Sequence, residues 1–223
     1  MSDDGSDKFV STWQALAAYL GLDRTESQEI GDYLQAQYSG SDRHYHGVCH
    51  IVSMLDGFDA IKATFEYPLA AELAIFFHDV IYNPSRHDNE EQSAKKMTEM
   101  LRGLVDPTLL ETAARSVEAT KQHALTPSHE TNLLLDLDMA ILGQHWDVYE
   151  RYAQGVMQEY LPVYGEMAYR HGRRTLFLEP TIAHGTIFLT DAFQPLTPQA
   201  IQNMEREAEI LKTGKPFAGQ VTG

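Results

Sequence analysis

The chemistry of this sequence concentrates in histidines and carboxylates at three places. His46 and His50 open a predicted helix four residues apart, a spacing that puts both side chains on one face, where they can bind one metal ion. Adjacent His78 and Asp79 end an apolar segment, and burying both is costly unless a divalent cation pairs with them. The competing interpretation is structural: hydrogen-bonded histidines, and an Asp79 that caps a neighbouring helix.

A third apolar segment carries two acids, Asp136 and Asp138. Two residues correspond to about 200° of rotation on a helix, so the two carboxylates cannot face the same point. One is expected to face a metal ion and the other to point elsewhere, either supporting a metal ligand or in a structural role. The spacing alone leaves open which acid is the ligand.

The sequence resembles the HD superfamily of metal-dependent phosphohydrolases, whose metal ligands come from three helices. The order along the chain is the same: His50, then His78-Asp79, then Asp138. The similarity extends from about residue 43 to 211 and is greatest to a subgroup of predicted phosphohydrolases. The segments that carry it are Arg43-x-Tyr45-His46-x-x-x-His50, Phe77-His78-Asp79-x-x-Tyr82, Asp88-Asn89-Glu90-Glu91-x-Ser93-Ala94, Thr120-x-x-His123, Asp136-x-Asp138-x-x-x-Leu142-Gly143, Tyr149-x-x-Tyr152, Glu159-Tyr160 and Ala200-x-x-Asn203-x-x-x-Glu207.

The resemblance implies an all-α, single-domain helical bundle of the HD type, with His50, His78, Asp79 and Asp138 as metal ligands. It thereby favours Asp138 over Asp136. Two imidazoles and two carboxylates suit Mn²⁺, Fe²⁺, Co²⁺, Ni²⁺ or Zn²⁺ better than Mg²⁺, which prefers oxygen ligands. Such an ion activates water, so the implied reaction is hydrolysis of a small phosphate ester or anhydride, a nucleotide among them.

Further residues are expected to serve that reaction. Asp79, His123 and His46 are the candidate catalytic residues, with His123 as a phosphate contact or proton donor first and as a ligand of a second metal second. Arg43 is placed to reach a phosphate beside the ion. Asn89 and Glu90, in a polar segment that follows Asp79, are expected to line the substrate pocket, although Glu90 also suits the first turn of a helix.

Apolar residues recur at helical spacing along the chain, and this pattern predicts the elements that must position these side chains. One domain is predicted over residues 7–213, with flexible ends at 1–6 and 214–223. Among the predicted helices are 44–65, which carries His46 and His50, and 68–82, which carries His78 and Asp79. Asp88 and Asp106 are the expected N-caps of the helices that follow them.

The formal net charge of −15 argues against a nucleic-acid polymer or an anionic membrane as partner. The single cysteine, Cys49, excludes an internal disulfide and is expected to be buried; with no signal sequence, a cytoplasmic location is predicted. The expected partner is a small phosphorylated molecule, and a homodimer contact is predicted within residues 146–177. Two other functions stay open: a nucleotide-sensing metal-binding module without turnover, and a di-iron oxygenase of the HD fold.

Overall fold

A computed structural model describes residues 4–214 and 216–217 of the chain. In these residues the protein is all-α and contains no β-strand, as the helical spacing predicts. None of the described helices is long and apolar enough to span a lipid bilayer. The chain divides into two compact units, Met1–Leu137 and Asp138–Gly223, and the single-domain organisation stays a prediction.

Helices account for most of the first unit. They are α1 (Asp4–Leu20), α2 (Arg24–Tyr38), α3 (Val48–Ile61), α4 (Pro68–Phe77), α5 (Asn89–Leu101), α6 (Pro107–Ala119) and α7 (His129–Met139), the last of which runs two residues past the unit boundary. Asp106 caps α6 as predicted, because its carboxylate accepts hydrogen bonds from the backbone N–H groups of Thr108 and Leu109.

The core of the first unit forms around α4. Every residue from Ala70 to Phe77 is buried, so this mostly apolar helix is covered on all sides and serves as the central element. The ring of Phe76 meets those of Phe9 and Trp13 edge to face, at centroid distances of 5.2 and 5.4 Å. These contacts fix the end of α4, where the predicted ligands begin.

The second unit consists of four α-helices and shorter helical turns in its described residues. The helices are α8 (Trp146–Tyr164), α9 (Glu166–Gly172), α10 (Glu179–His184) and α11 (Thr197–Thr213), with a π-helical turn, Arg173–Leu178, between α9 and α10. Exposed apolar side chains occur in the range for which the sequence predicts a homodimer contact: Val163, Tyr164, Met167 and Leu176. That contact stays a prediction.

Parts of the predicted flexible ends lie within the described residues. Residues 4–6 belong to α1, and the side chain of Phe217 is buried. Residues 1–3, 215 and 218–223 lie outside the described part of the chain, so the prediction for those positions is not tested.

Candidate metal centre

Two buried histidines from different helices face each other in the first unit. His50 lies in the first turn of α3 and His78 is the C-cap residue of α4, and their Nε2 atoms are 3.1 Å apart. The Nδ1 atom of His78 lies 3.0 Å from the carbonyl oxygen of Ile75, an acceptor, so Nδ1 must carry the proton. In the neutral ring of His78 the lone pair of Nε2 then points toward His50. This tautomer, with Nδ1 protonated and Nε2 free of a proton, is the one that can bind a metal ion through Nε2.

Asp79 brings a carboxylate oxygen to the same point. Its Oδ2 atom is 3.2 Å from Nε2 of His78 and 4.0 Å from Nε2 of His50. Its side chain is 15% exposed, which leaves this edge of the cluster open to solvent. We call these three side chains, His50, His78 and Asp79, the imidazole–carboxylate cluster.

Asp79 does not lie in the helix that the sequence predicts over residues 68–82. The helix α4 ends at Phe77, so this prediction is wrong at its C-terminal end. The backbone N–H groups show the physical reason: that of Val80 bonds the carbonyl of Phe77, three residues back, and that of Ile81 donates to the Ser93 hydroxyl instead of to a helical carbonyl. Arg43 then holds the carbonyls of Asp79 and Val80. A turn therefore replaces the last helical turns.

Asp138 supplies a further carboxylate, from the last turn of α7. His50, His78 and Asp138 each offer one ligand atom, and these three atoms lie within 4.8 Å of one another. This helix approaches α3 closely, because a Cβ atom on Gly57 would lie only 2.8 Å from Cδ2 of Leu137, the residue before Asp138. Such a group can hold a metal ion.

Asp136 takes no part in that group and is almost completely buried, at 1% exposure. The structure thus brings Asp138, and not Asp136, to the two histidines, as the resemblance implies. The two acids point different ways because two residues correspond to about 200° of helical rotation.

His46 lies outside the helix that was predicted to carry it. The helix α3 begins at Val48 with Gly47 as its N-cap, so the predicted start at residue 44, and a shared helical face with His50, are wrong. The carbonyl of His46 accepts a hydrogen bond from Arg43, which removes it from the helical ladder. The imidazole ring still lies near the cluster, with centroids 5.9 Å from His50 and 4.4 Å from Tyr82.

Arg43 and Asn89, two of the predicted substrate contacts, are bonded to backbone groups. The guanidinium of Arg43 donates to three carbonyl groups. The side-chain amide of Asn89 accepts from the N–H of Asn83 and donates to its carbonyl, at 3.1 and 3.0 Å, so it holds the loop that precedes α5. Substrate contact by Arg43, Asn89 and Glu90 stays a prediction; Glu90 is half-buried in the first turn of α5.

Asp88 does not cap α5 with its side chain, contrary to the prediction. Its carboxylate instead accepts hydrogen bonds from Arg86, at 2.8 and 2.6 Å, and from Gln92, at 3.1 Å. The bonds from Arg86 lower the pKa of the Asp88 carboxyl. The ion pair with Arg86 therefore competes successfully with the helix N-terminus for this acid.

His123 lies in the turn after α6 and is half-buried. Among the described residues it is the one non-glycine residue with a positive φ, 46°, a backbone conformation that costs about 1 kcal/mol or more. A catalytic role for His123 stays a prediction. The exposed Cys49 contradicts the expectation that its side chain is buried filler.

The groups that orient the candidate ligands are not among the site residues that the sequence predicts. The carbonyl of Ile75 fixes the tautomer of His78, Ser93 holds the turn after Asp79, and Tyr82 packs on His46. A carbonyl has no signature in a sequence, because every residue carries one. Tyr82 does have a signal, since an aromatic residue three positions after Asp79 is part of the resemblance.

Comparison of the chain with protein-family models, with curated proteins and with solved structures finds no match. The interpretation of the site therefore rests on its own geometry and on the residue pattern.

Proposed function

We propose that this protein is a metal-dependent phosphohydrolase of the HD type, acting on a small phosphate ester or anhydride, with nucleotides among the candidates. One observation carries the proposal: the Nε2 atoms of two buried histidines and a carboxylate oxygen of Asp79 lie within 4.0 Å of one another. The HD-like residue pattern adds the expected order of ligands along the chain.

The proposed ligands are His50, His78, Asp79 and Asp138. Their mixed nitrogen and oxygen donors fit Mn²⁺, Fe²⁺, Co²⁺, Ni²⁺ or Zn²⁺ better than Mg²⁺. The structure supports this fit in one further way, because the Ile75 carbonyl holds His78 in the tautomer that a metal ion requires. When bound, a divalent ion supplies Lewis acidity to a phosphoryl oxygen and lowers the pKa of water.

The side chains of the chain must supply the proton transfers. Hydrolysis forms a bond from a water oxygen to phosphorus and breaks the bond to the leaving oxygen, so one group accepts a proton and another donates one. We assign acceptance to the Asp79 carboxylate, which is within reach of solvent. Donation to the leaving oxygen is assigned to His123 or to His46, which lies beside the cluster.

The charge of the protein supports a small substrate. A net charge of −15 repels the backbone of a nucleic acid over long distances, whereas a local cation can still attract one phosphate group. In the proposal Asn89 and Glu90 line the pocket for the rest of the substrate.

The test is a phosphate-release screen over nucleotides and sugar phosphates with Mn²⁺, Co²⁺, Ni²⁺ and Mg²⁺ in turn, on the wild-type protein and on His78→Ala and Asp79→Ala. We expect metal-dependent phosphate release that falls at least about a hundredfold in both variants, together with the metal content. The control is His145→Ala, which alters a histidine whose side chain is 81% exposed.

Three results would contradict the proposal. Unchanged turnover in His78→Ala or Asp79→Ala would remove the assigned roles. Nucleotide binding without any product would point to a sensing module. Oxygen-dependent turnover with two irons per chain would point to an oxygenase.

A further inference from the structure

The side chain of Arg43 joins the two backbone segments that lead to and from the candidate ligands. Its Nη1 atom donates to the carbonyl of His46 at 2.9 Å and to that of Asp79 at 2.7 Å, and its Nη2 atom donates to the carbonyl of Val80 at 3.2 Å. The first carbonyl lies four residues before His50. The other two belong to Asp79 and to the residue after it.

Two aromatic rings hold the guanidinium in this place. The Cζ atom of Arg43 lies 5.3 Å from the ring centroid of Tyr38 and 5.0 Å from that of Tyr82, within cation–π range. Tyr38 is itself anchored, since its hydroxyl donates to the carbonyl of Phe76 at 3.0 Å. Tyr82 in turn packs on the ring of His46.

All three acceptors of the Arg43 hydrogen bonds are backbone carbonyls, so these bonds restrain the backbone. A peptide group held by its carbonyl restrains the φ and ψ angles on either side, and so restrains where the neighbouring side chains point. The planar, forked guanidinium holds all three carbonyls from one fixed position, since Nη1 bonds one carbonyl of each segment and Nη2 bonds a further one. Lysine carries the same charge but presents its donors from a single nitrogen atom.

We propose that Arg43 is a positioning residue for the metal ligands, which sets the separation of His50 from His78 and Asp79 before an ion binds. The inference rests on the proposed function and adds to it a role for Arg43 other than the substrate contact that the sequence predicts. It is consistent with the Nε2 atoms of His50 and His78 already lying 3.1 Å apart in the structure.

The experiment compares Co²⁺ binding by the wild-type protein, Arg43→Lys and Arg43→Gln, using Co²⁺ alone as the probe. The affinity is measured by titration and the ligand geometry by the visible absorption of bound Co²⁺. We expect Co²⁺ affinity to fall about 10–100-fold in both variants, as for other residues that orient metal ligands, with an altered absorption spectrum. Phosphate release at saturating metal is measured alongside, with KM and kcat separated.

The control variant is Phe58→Leu, which changes a buried residue of α3 eight positions after His50 and is expected to lower the stability of the protein. It should leave the Co²⁺ spectrum and affinity unchanged, so that loss of stability alone is distinguished from loss of positioning. Should Arg43→Gln fail to fold, the comparison uses Arg43→Lys alone. This variant keeps the positive charge and replaces the forked guanidinium by a single ammonium nitrogen.

Two results would overturn the inference. Wild-type Co²⁺ affinity and spectrum in Arg43→Lys would show that the ligands do not need the fork. A raised KM with unchanged Co²⁺ binding would show that Arg43 contacts the phosphate instead. Failure of the proposed function is distinguishable from both, because the wild-type protein would then bind no Co²⁺ or would release no phosphate.

Discussion

Each of the two units contains a group of buried polar side chains, and the two groups differ in how their charges are balanced. The first is the imidazole–carboxylate cluster of His50, His78 and Asp79. The second, the arginine–tyrosine cluster, comprises Tyr149, Tyr152, Arg173 and Glu207. Both are largely removed from solvent, where polar groups need partners.

In the arginine–tyrosine cluster, donors alternate with acceptors. Arg173 donates to both carboxylate oxygens of Glu207, at 3.0 and 3.3 Å, and to the hydroxyl of Tyr152 at 2.8 Å, while Tyr149 also donates to Glu207. Burial by itself would lower the pKa of Arg173, but Glu207 and the neighbouring tyrosines raise it well above its usual value. This cluster carries its own cation.

In the imidazole–carboxylate cluster, atoms that can bind a metal ion converge instead. A carboxylate oxygen and two imidazole Nε2 atoms share one small region, and the Ile75 carbonyl directs the lone pair of His78 into it. A cation from outside the chain can stabilise such a group of imidazole nitrogens and carboxylate oxygens. The comparison therefore supports the first cluster as a candidate binding site and the second as a structural support.

The largest expected effect on stability belongs to the arginine–tyrosine cluster. Replacing Glu207 by alanine leaves the Arg173 charge without its partner, so we expect the free energy of unfolding to fall by about 3–5 kcal/mol. Urea unfolding measures this change. The same variant should keep its affinity for Mn²⁺ under conditions where it is folded; a stability loss below about 1 kcal/mol would contradict the structural role.

Metal addition should act on the other cluster. At a free Mn²⁺ concentration of 100 times Kd, binding to the folded state alone adds about 2.7 kcal/mol of stability, which for a chain of this size raises Tm by about 5–10 °C. Thermal melting with Mn²⁺ and with EDTA measures the shift. In His78→Ala the shift should disappear, whereas in Glu207→Gln it should persist.

The two acids of α7 sharpen the assignment of ligands. We expect Asp138→Asn to weaken Mn²⁺ binding about 10–100-fold or more, because one carboxylate ligand loses its charge. Asp136→Asn is the matched control and should keep the wild-type affinity for the metal, since Asp136 is not in the ligand group. Titration calorimetry measures the Mn²⁺ affinity of both variants. Weaker binding by Asp136→Asn than by Asp138→Asn would show that the ligand is Asp136.

Alkaline pH should lower the stability that the arginine–tyrosine cluster contributes, by less than the substitutions above. Burial first, and the Glu207 carboxylate next, raise the pKa of Tyr149 well above its ordinary value of 10.0. The unfolded chain therefore ionises Tyr149 near pH 10 while the folded chain keeps it protonated. The contribution of Tyr149 to the free energy of unfolding is therefore fully present below pH 10 and is lost as the pH rises further.

Urea unfolding at pH 8, 10 and 11 measures the decline, and it should be shallower in Tyr149→Phe. The control is Tyr19→Phe, which changes a side chain that is 77% exposed. A decline equally steep in Tyr149→Phe and in the wild-type protein would contradict the assignment of the pH dependence to this residue.

The helical architecture was predictable because it depends on local periodicity. Apolar spacing predicts α4 and α7, and the burial of Ala70–Phe77 confirms that the segment before His78 is a core helix. Asp138 was favoured over Asp136 through the resemblance, and the structure brings that acid to the histidines. The first prediction uses local periodicity, and the second uses the order of ligands that the resemblance implies.

Helix ends and ligand orientation were not predictable, because they depend on distant partners. The prediction that α4 continues to residue 82 is wrong since the N–H of Ile81 donates to Ser93, 12 residues later, and Arg43, 36 residues before Asp79, holds the turn that follows. The early start predicted for α3 is wrong for a local reason, as the His46 carbonyl accepts a hydrogen bond from Arg43, three residues earlier. No local pattern specifies such a contact between two turns.

We expect one divalent ion to bind where the two imidazoles and the carboxylates converge. A crystal of the protein grown with Mn²⁺, with diffraction data collected at the manganese absorption edge, tests this binding directly. We predict one strong anomalous peak within about 2.0–2.3 Å of His50 Nε2, His78 Nε2 and oxygens of Asp79 and Asp138. A Mn²⁺-saturated crystal without an anomalous peak among these four side chains would contradict it.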